Sequence, residues 1–184
     1  IYNVTVRVSD GTFTDTQSVA VTVSDANEFA VGVSSDANAA ANSVAENAGV
    51  GTLAGVTALA VDADATTNAI SYTLDNSAGG RFAIDAATGV LSVAGVLDYE
   101  ISTSHAVTVR ATSADGSFST AVFTIDLSDV NEFAIGAISD TDATPNQVAE
   151  NLAAGTSVGI TASAVDIDGS AVVSYSLIDN AGGR

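Results

Sequence analysis

Glutamate is scarce in this chain and is confined to a few short motifs. Of the 22 acidic residues only five are Glu, namely Glu28, Glu46, Glu100, Glu132 and Glu150. They occupy two NEF triplets, two VAEN segments and one LDYE segment, whereas a merely solvating acidic surface would scatter Glu along strands and loops. Calcium takes roughly six to eight oxygen ligands and often a bidentate carboxylate, which the longer Glu arm readily supplies. The placement therefore indicates calcium binding rather than solvation.

The charge balance points to the same partner. The formal net charge is −18, with four Arg and no Lys, and such a surface repels nucleic acid and anionic lipid. The chain is nevertheless 47% apolar, unlike acidic disordered segments, which lack the residues for a core. A positive ion among the carboxylates is the simplest compensation. The chain has no Cys for a disulfide and no apolar run long enough to insert directly into a membrane.

The chain is internally repetitive. NEFAVG at 27–32 recurs as NEFAIG at 131–136, and VAENAGVGT at 44–52 recurs as VAENLAAGT at 148–156, both at a spacing of about 104 residues. The acidic VDAD segment recurs as VDID at the same spacing. A tandem array is thus expected, with residues 1–26 closing one repeat, 27–130 forming a full repeat and 131–184 opening the next. The two partial repeats would leave apolar faces exposed unless other sequence or other chains cover them.

Short alternating strands separated by Gly- and Asn-bearing turns fill the full repeat. The alternation predicts an inward face on each of the three clearest strands. The inward residues are Ile70, Tyr72 and Leu74, then Val107, Val109 and Ala111, then Phe123, Ile125 and Leu127. About seven strands in about 100 residues without helical periodicity predict an all-β fold, an antiparallel Greek-key β-sandwich of immunoglobulin-like type, repeated in tandem.

The acidic motifs resemble those of the cadherin family. VAEN, LDYE, VDAD and VDID, SADG and DVNE are similar to the cadherin motifs PEN, LDRE, DxD, DxG and DxNDN, and they follow in the same order. FAIDAATGVL at 82–91 is similar to the cadherin stretch FxIDxxTGxI. The Ala-rich, Lys-free composition most resembles that of bacterial cadherin-like repeats in large secreted, RTX-type surface adhesins.

The resemblance implies calcium ions at each junction between successive modules. For the junction near 129–133 the implied ligands are Glu46, Asp98, Glu100, Asp129, Asn131, Glu132, Asp166 and Asp168. For the junction near 25–29 they are Asp25, Asn27, Glu28, Asp62, Asp64 and Asp115. The chain departs from the family pattern where Glu28 and Glu132 replace Asp, and where Phe29 and Phe133 replace the final Asn.

Several other polar residues have a structural and a functional interpretation. Asp36, Asp140, Asp142 and Asn146 either hold an extra calcium ion or form turns, and Asp75, Asp85 and Asp179 are interpreted as turn formers. Arg81 and Arg184 either form structural salt bridges or bind a partner carboxylate. His105 is the single histidine, and no Ser lies in the glycine pattern of a nucleophile elbow, so no enzymatic activity is expected.

The function implied by the resemblance is that of a calcium-rigidified extender in a bacterial cell-surface adhesin, contributing to cell adhesion and biofilm formation. Its partners would be the neighbouring repeats of the same chain, and its location extracellular, at the cell surface or secreted. The alternative is that the repeats themselves bind a polysaccharide or like modules on other chains.

Overall fold

The computed structural model describes residues 1–64 and 66–183, and within these ranges the regular secondary structure is entirely β-strand. The strands are β1 (Tyr2–Ser9), β2 (Thr14–Val21), β3 (Ser35–Asp36), β4 (Ser43–Ala45), β5 (Leu53–Leu59), β6 (Ile70–Asn76), β7 (Phe82–Ile84), β8 (Val90–Val93), β9 (Ser104–Ser113), β10 (Phe118–Ser128), β11 (Ser139–Asp140) and β12 (Ala162–Ser163). Across the described residues, no helix has the length and apolarity needed to cross a bilayer.

Strands β3 to β10 form a two-layer sandwich. One four-stranded sheet has the order β4-β10-β9-β6 and the other the order β3-β5-β8-β7. Strand β5 lies between β3 and β8, whereas β4 and β6, its neighbours in sequence, belong to the other sheet. The predicted all-β sandwich is confirmed. Its ladders are antiparallel except β4 with β10, which is parallel because the chain crosses from one sheet to the other after β3 and enters β4 in the direction of β10.

The core lies between the two sheets and follows the predicted alternation. Its largest fully buried side chains are Leu91, Ile125, Val56, Val93, Val107 and Val109. In β9 and β10 the alternate side chains point inward, while Ile70 and Leu74 of β6 pack at the edge of the core. The buried Tyr72 hydroxyl accepts a hydrogen bond from the Ala60 amide at 3.0 Å, so its polar end is satisfied.

The segments on either side of the sandwich have much less regular structure. Strands β1 and β2 form an isolated hairpin in which every residue is exposed, and β11 with β12 pairs only two residues on each strand. Apolar side chains such as Val6 and Leu177 are exposed in these segments. The division into 1–26, 27–130 and 131–184 stays a prediction.

The downstream segment nevertheless repeats contacts of the sandwich. Asp36 Oδ1 accepts from the Thr57 amide at 3.0 Å, and Asp140 Oδ1 accepts from the Thr161 amide at 2.9 Å. The Ala164 amide donates to the Tyr175 hydroxyl at 2.9 Å, as Ala60 does to Tyr72. Aspartates that accept from backbone amides in this way stabilise turns and the ends of strands. An extra calcium site at these residues stays a prediction.

Candidate metal centre

Three carboxylates from separate parts of the sandwich meet at the linker after β10. Glu46 directly follows β4, Glu100 lies in the loop between β8 and β9, and Asp129 directly follows β10. One carboxylate oxygen of each lies within 4.8 Å of the others. The parallel ladder brings Glu46 and Asp129 together, because Ala45 pairs with Ser128 and parallel strands end at the same edge.

Backbone amides hold these carboxylates in place. Glu46, which is 3% exposed, accepts from the Val130 amide with Oε1 at 2.8 Å and from the Tyr99 amide with Oε2 at 2.5 Å. Asp129 Oδ2 accepts from the Ser170 amide at 2.7 Å. Glu100 Oε1 accepts from the Gly169 amide at 3.0 Å. Segments up to 84 residues apart in sequence are therefore joined through acidic side chains.

The remaining oxygens of this cluster suit a cation. Glu100 Oε2 and Asp129 Oδ1 are buried and have no hydrogen-bond partner among the described residues. A buried charged oxygen without a donor is costly unless an opposite charge compensates it. Oxygen-only ligands at this spacing are the donor set that Ca²⁺ takes, so the residues fit that ion.

Three further predicted ligands also accept hydrogen bonds from backbone amides. Asp168, 4% exposed, accepts from the amides of Glu132 and Phe133, with the shortest distance 3.0 Å to Oδ1. Asp166 Oδ1 accepts from the Asp168 amide at 3.2 Å. Asp98 Oδ1 accepts from the Ile101 amide at 2.9 Å.

Glu132 is close enough to the acidic cluster for its ionisation to be affected. Partial desolvation raises the pKa of the Glu132 carboxyl, and the negative charges of Glu46, Glu100, Asp168 and Asp98 raise it further. The Asn131 side chain lies next to Glu132 in the linker and is exposed, and its role as a ligand stays a prediction.

A second cluster lies at the opposite end of the sandwich. Asp62 and Asp64 follow β5, Asp115 lies in the turn between β9 and β10, and one oxygen of each lies within 4.8 Å of the others. Asp62 and Asp64 are 7% and 3% exposed. The Asn27 side-chain amide donates to Asp115 Oδ2 at 2.8 Å. The pKa of Asp115 is lowered chiefly by a hydrogen bond from the Ser117 backbone amide and next by one from the Ser117 side chain.

The upstream linker makes hydrogen bonds with the sandwich that the downstream linker repeats with the following segment. Asp64 accepts from the amides of Glu28 and Phe29, as Asp168 does from the residues about 104 positions later. Asp25 Oδ2 accepts from the Thr66 amide at 2.9 Å, as Asp129 does from Ser170. The Phe replacements therefore keep a linker contact through the backbone amide, while the rings of Phe29 and Phe133 are largely exposed.

Three site contacts were not anticipated from the sequence. The Thr66 hydroxyl donates to Asp25 Oδ2 at 2.6 Å, the Ser113 hydroxyl donates to Asp62 Oδ2, and the Asn68 side-chain amide donates to the Asp64 carbonyl at 2.8 Å. Their proximity to DxD and DxG motifs is the only signal that the sequence contains.

Some of the other interpretations need correction. Asp85 and Asp179 accept from amides two residues further on, as turn formers do. Asp75 was interpreted as a turn former, but it lies in β6 and pairs with Arg110 of β9 at 2.8 Å. Arg81 Nη1 donates to the Ala78 carbonyl at 3.0 Å, whereas Arg184 lies outside the described residues. His105 packs edge-on against Phe82, with ring centroids 6.1 Å apart.

Comparison with known proteins supports the resemblance to cadherins. Residues 41–128 match the cadherin-domain family. The whole chain is 33% identical to human Protocadherin Fat 1 over 185 residues but spans only 4% of that protein. It is 39% identical over 103 residues to Cadherin-20 of Xenopus laevis, covering 55% of this chain and 12% of that one.

A solved structure shows the same fold. Mouse cadherin-23 EC22–24 superposes with a TM-score of 0.66 at 30% identity, over 90% of this chain and 53% of that one. The acidic clusters flank the β-sandwich at the two linkers, where the motif resemblance implies ions. The chain is thus a cadherin-like β-sandwich of about 100 residues with flanking segments, and its residues 41–128 match the family of cadherin domains.

Proposed function

We propose that this chain is a non-enzymatic extender segment of an extracellular adhesion protein, in which calcium binding at the linkers stiffens successive cadherin-like modules. The observation that carries the proposal is the meeting of Glu46, Glu100 and Asp129, which come from three separate chain segments, at one linker. Cadherin domains are in general calcium-dependent adhesion modules, and residues 41–128 match that family. The division into 1–26, 27–130 and 131–184 is part of the proposal.

The ligands proposed for the downstream linker are Glu46, Asp98, Glu100, Asp129, Asn131, Glu132, Asp166 and Asp168. Those proposed for the upstream linker are Asp25, Asn27, Glu28, Asp62, Asp64 and Asp115. Both sets are supported by a shared hydrogen-bond pattern, in which linker amides donate to Asp64 and Asp168. A bound Ca²⁺ supplies positive charge to oxygens that otherwise lack it.

The chain's own residues explain why stiffness should depend on that charge. Like charges about 4 Å apart repel by roughly 1 kcal/mol in water and roughly 4 kcal/mol in a partly screened site. Glu46 and Glu100 belong to the sandwich, Asp129 to the linker, and Asp168 to the following segment. Repulsion among them therefore pushes the linker and the following segment away from the sandwich. Neutralising it lets the amide contacts of Gly169 and Ser170 persist.

Direct binding measurements test this proposal. Isothermal calorimetry should show Ca²⁺ binding that raises the unfolding temperature, because a ligand that binds only the folded state stabilises it. Magnesium should bind much more weakly, since it demands tighter octahedral geometry and keeps its waters. No heat of binding and no stabilisation at millimolar Ca²⁺ would contradict the proposal.

The cellular setting is a finer part of the proposal. The absence of Lys and the abundance of Ala favour a large bacterial surface adhesin, although the two relatives named above come from animals. An antibody against this segment should then label intact, unpermeabilised cells of the source organism. Labelling only after lysis would contradict an extracellular location.

A further inference from the structure

Gly169 of the downstream segment faces the ring of Tyr99 in the sandwich. A Cβ atom built on Gly169 would lie 3.2 Å from Tyr99 Cε1 and 3.5 Å from Cδ1. The Gly169 amide also donates to Glu100 Oε1 at 3.0 Å. The two segments thus approach each other through a glycine that has no side chain to separate them.

Space rather than backbone conformation explains this glycine. Gly169 is not among the glycines with a positive φ, so an L-residue fits its backbone. A methyl group there would be closer to the Tyr99 ring than carbon atoms normally approach, since their optimal separation is about 3.5–4.0 Å. The Tyr99 ring or the loop of Gly169 would have to shift by a few tenths of an ångström.

Tyr99 is poorly able to move. Its amide donates to the buried Glu46 carboxylate at 2.5 Å, and its side chain is partly buried and packs against the hydrophobic core. A methyl group at residue 169 would therefore displace the downstream loop. That loop provides the Gly169 and Ser170 amides that hold Glu100 and Asp129.

We propose that Tyr99 and Gly169 form a steric selector, which admits as the following module one with glycine directly after its DxD motif. The inference deepens the proposed extender function, and it rests on that function for its calcium dependence but not for its geometry. The corresponding residue of the middle repeat is Ala65, which lies outside the described residues. In sequence, therefore, successive modules differ at the position that the selector reads, and the order of modules along the chain would not be interchangeable.

The test measures the distance between the two segments in the full chain. Because the chain contains no Cys, Val122→Cys and Ile178→Cys provide a unique pair of spin-label sites, and both residues are highly exposed, at 66% and 103%. Double electron–electron resonance would be recorded in EDTA and across a Ca²⁺ titration. Four backgrounds are compared: the labelled parent, Gly169→Ala, Tyr99→Ala and the double variant. Gly49→Ala is the matched control, since Gly49 also lacks a positive φ and a Cβ there meets nothing within 4 Å.

The selector predicts a broader distance distribution for Gly169→Ala. It also predicts a calcium midpoint raised roughly fivefold or more, because overpacking destabilises the arrangement of the two segments that binds calcium. On the Tyr99→Ala background the same glycine substitution should change neither quantity, and Gly49→Ala should match the parent. A Gly169→Ala chain that behaves like the parent would overturn the inference, and so would an equal effect on both backgrounds.

Failure of the extender function would look different. If the parent distribution did not respond to Ca²⁺ at all, the proposed stiffening would be wrong. The selector would then be judged from the EDTA distributions alone, where Gly169→Ala should still be broader than the parent and Tyr99→Ala should remove the difference.

Discussion

Glu100 and Asp129 each use one carboxylate oxygen to accept from a backbone amide and keep the other buried without a donor. In a metal-free chain this arrangement costs free energy, because two desolvated negative charges lie close together. With a cation between them, the same arrangement is favourable. On the proposed calcium assignment, the sign of their contribution to stability depends on calcium, whereas that of an ordinary structural carboxylate would not.

Glu100→Gln should accordingly act in opposite directions with and without calcium. The amide oxygen of Gln can still accept from Gly169, while one negative charge is removed. In EDTA the variant should be as stable as the parent or more so, and its Ca²⁺ affinity should be roughly tenfold or more weaker. Thermal unfolding followed by circular dichroism, together with calorimetry, measures both effects.

Glu150→Gln is the matched control for this prediction. Glu150 lies in the second VAEN segment but belongs to neither of the two acidic clusters found among the described residues. Its replacement should leave calcium affinity unchanged. If Glu100→Gln destabilised the chain equally in both conditions, Glu100 would be a structural acceptor only.

At the scale of elements, the parallel pairing of β4 with β10 decides where the acidic residues meet. Because Ala45 pairs with Ser128, the next residues, Glu46 and Asp129, leave the sheet side by side. The strands of the sandwich have one buried and one exposed face. In β10, alternate side chains are buried over the second half of the strand.

Substitutions on the two faces of β10 should therefore differ sharply. Ile125 is fully buried, so Ile125→Ala should lower the free energy of unfolding by about 2–5 kcal/mol. Val122 points outward on the same strand and is 66% exposed, so Val122→Ala should change it by no more than about 0.5 kcal/mol. Urea unfolding in EDTA measures both, and comparable losses would contradict the assigned faces.

The ion pair between β6 and β9 should make a small pH-dependent contribution. The side-chain hydrogen bond and charge of Arg110 lower the pKa of Asp75 in the folded state. A depressed carboxyl pKa stabilises the fold above its unfolded pKa, and the contribution is lost as the pH falls through the folded pKa. Asp75→Asn should thus be slightly less stable than the parent at neutral pH, and the difference should vanish in strong acid. A difference that persisted unchanged at acid pH would contradict this assignment.

The sequence was sufficient to predict the β-sandwich and the inward faces of its clearest strands, but not how loops approach one another. Alternation identified Val107, Val109 and Ile125 as inward residues, because burial on one face leaves a period of two. Tyr99 and Gly169 lie in segments that are distant in sequence, and neither residue type predicts that the two come into contact. Asp75 was misassigned because an Asp-Asn pair is common in turns, while the pairing with Arg110 across β6 and β9 depends on register.

At the scale of the whole molecule, the chain carries a net charge of −18, and acidic linkers flank its sandwich. Self-repulsion of this kind favours separated modules. Monovalent salt only screens it, with a Debye length of about 8 Å at physiological ionic strength. An ion bound at a linker does more, because it ties the sandwich, the linker and the following segment to one point.

Small-angle X-ray scattering across a calcium titration tests this account most directly. Magnesium and sodium chloride at matched ionic strength separate specific binding from screening. We predict that the scattering profile changes from that of a flexible chain to that of a longer, stiffer particle with calcium alone, and that Glu100→Gln needs more calcium for the same change. A profile that does not change with calcium, or one that changes equally with all three salts, would contradict the assignment of the linkers as calcium-dependent hinges.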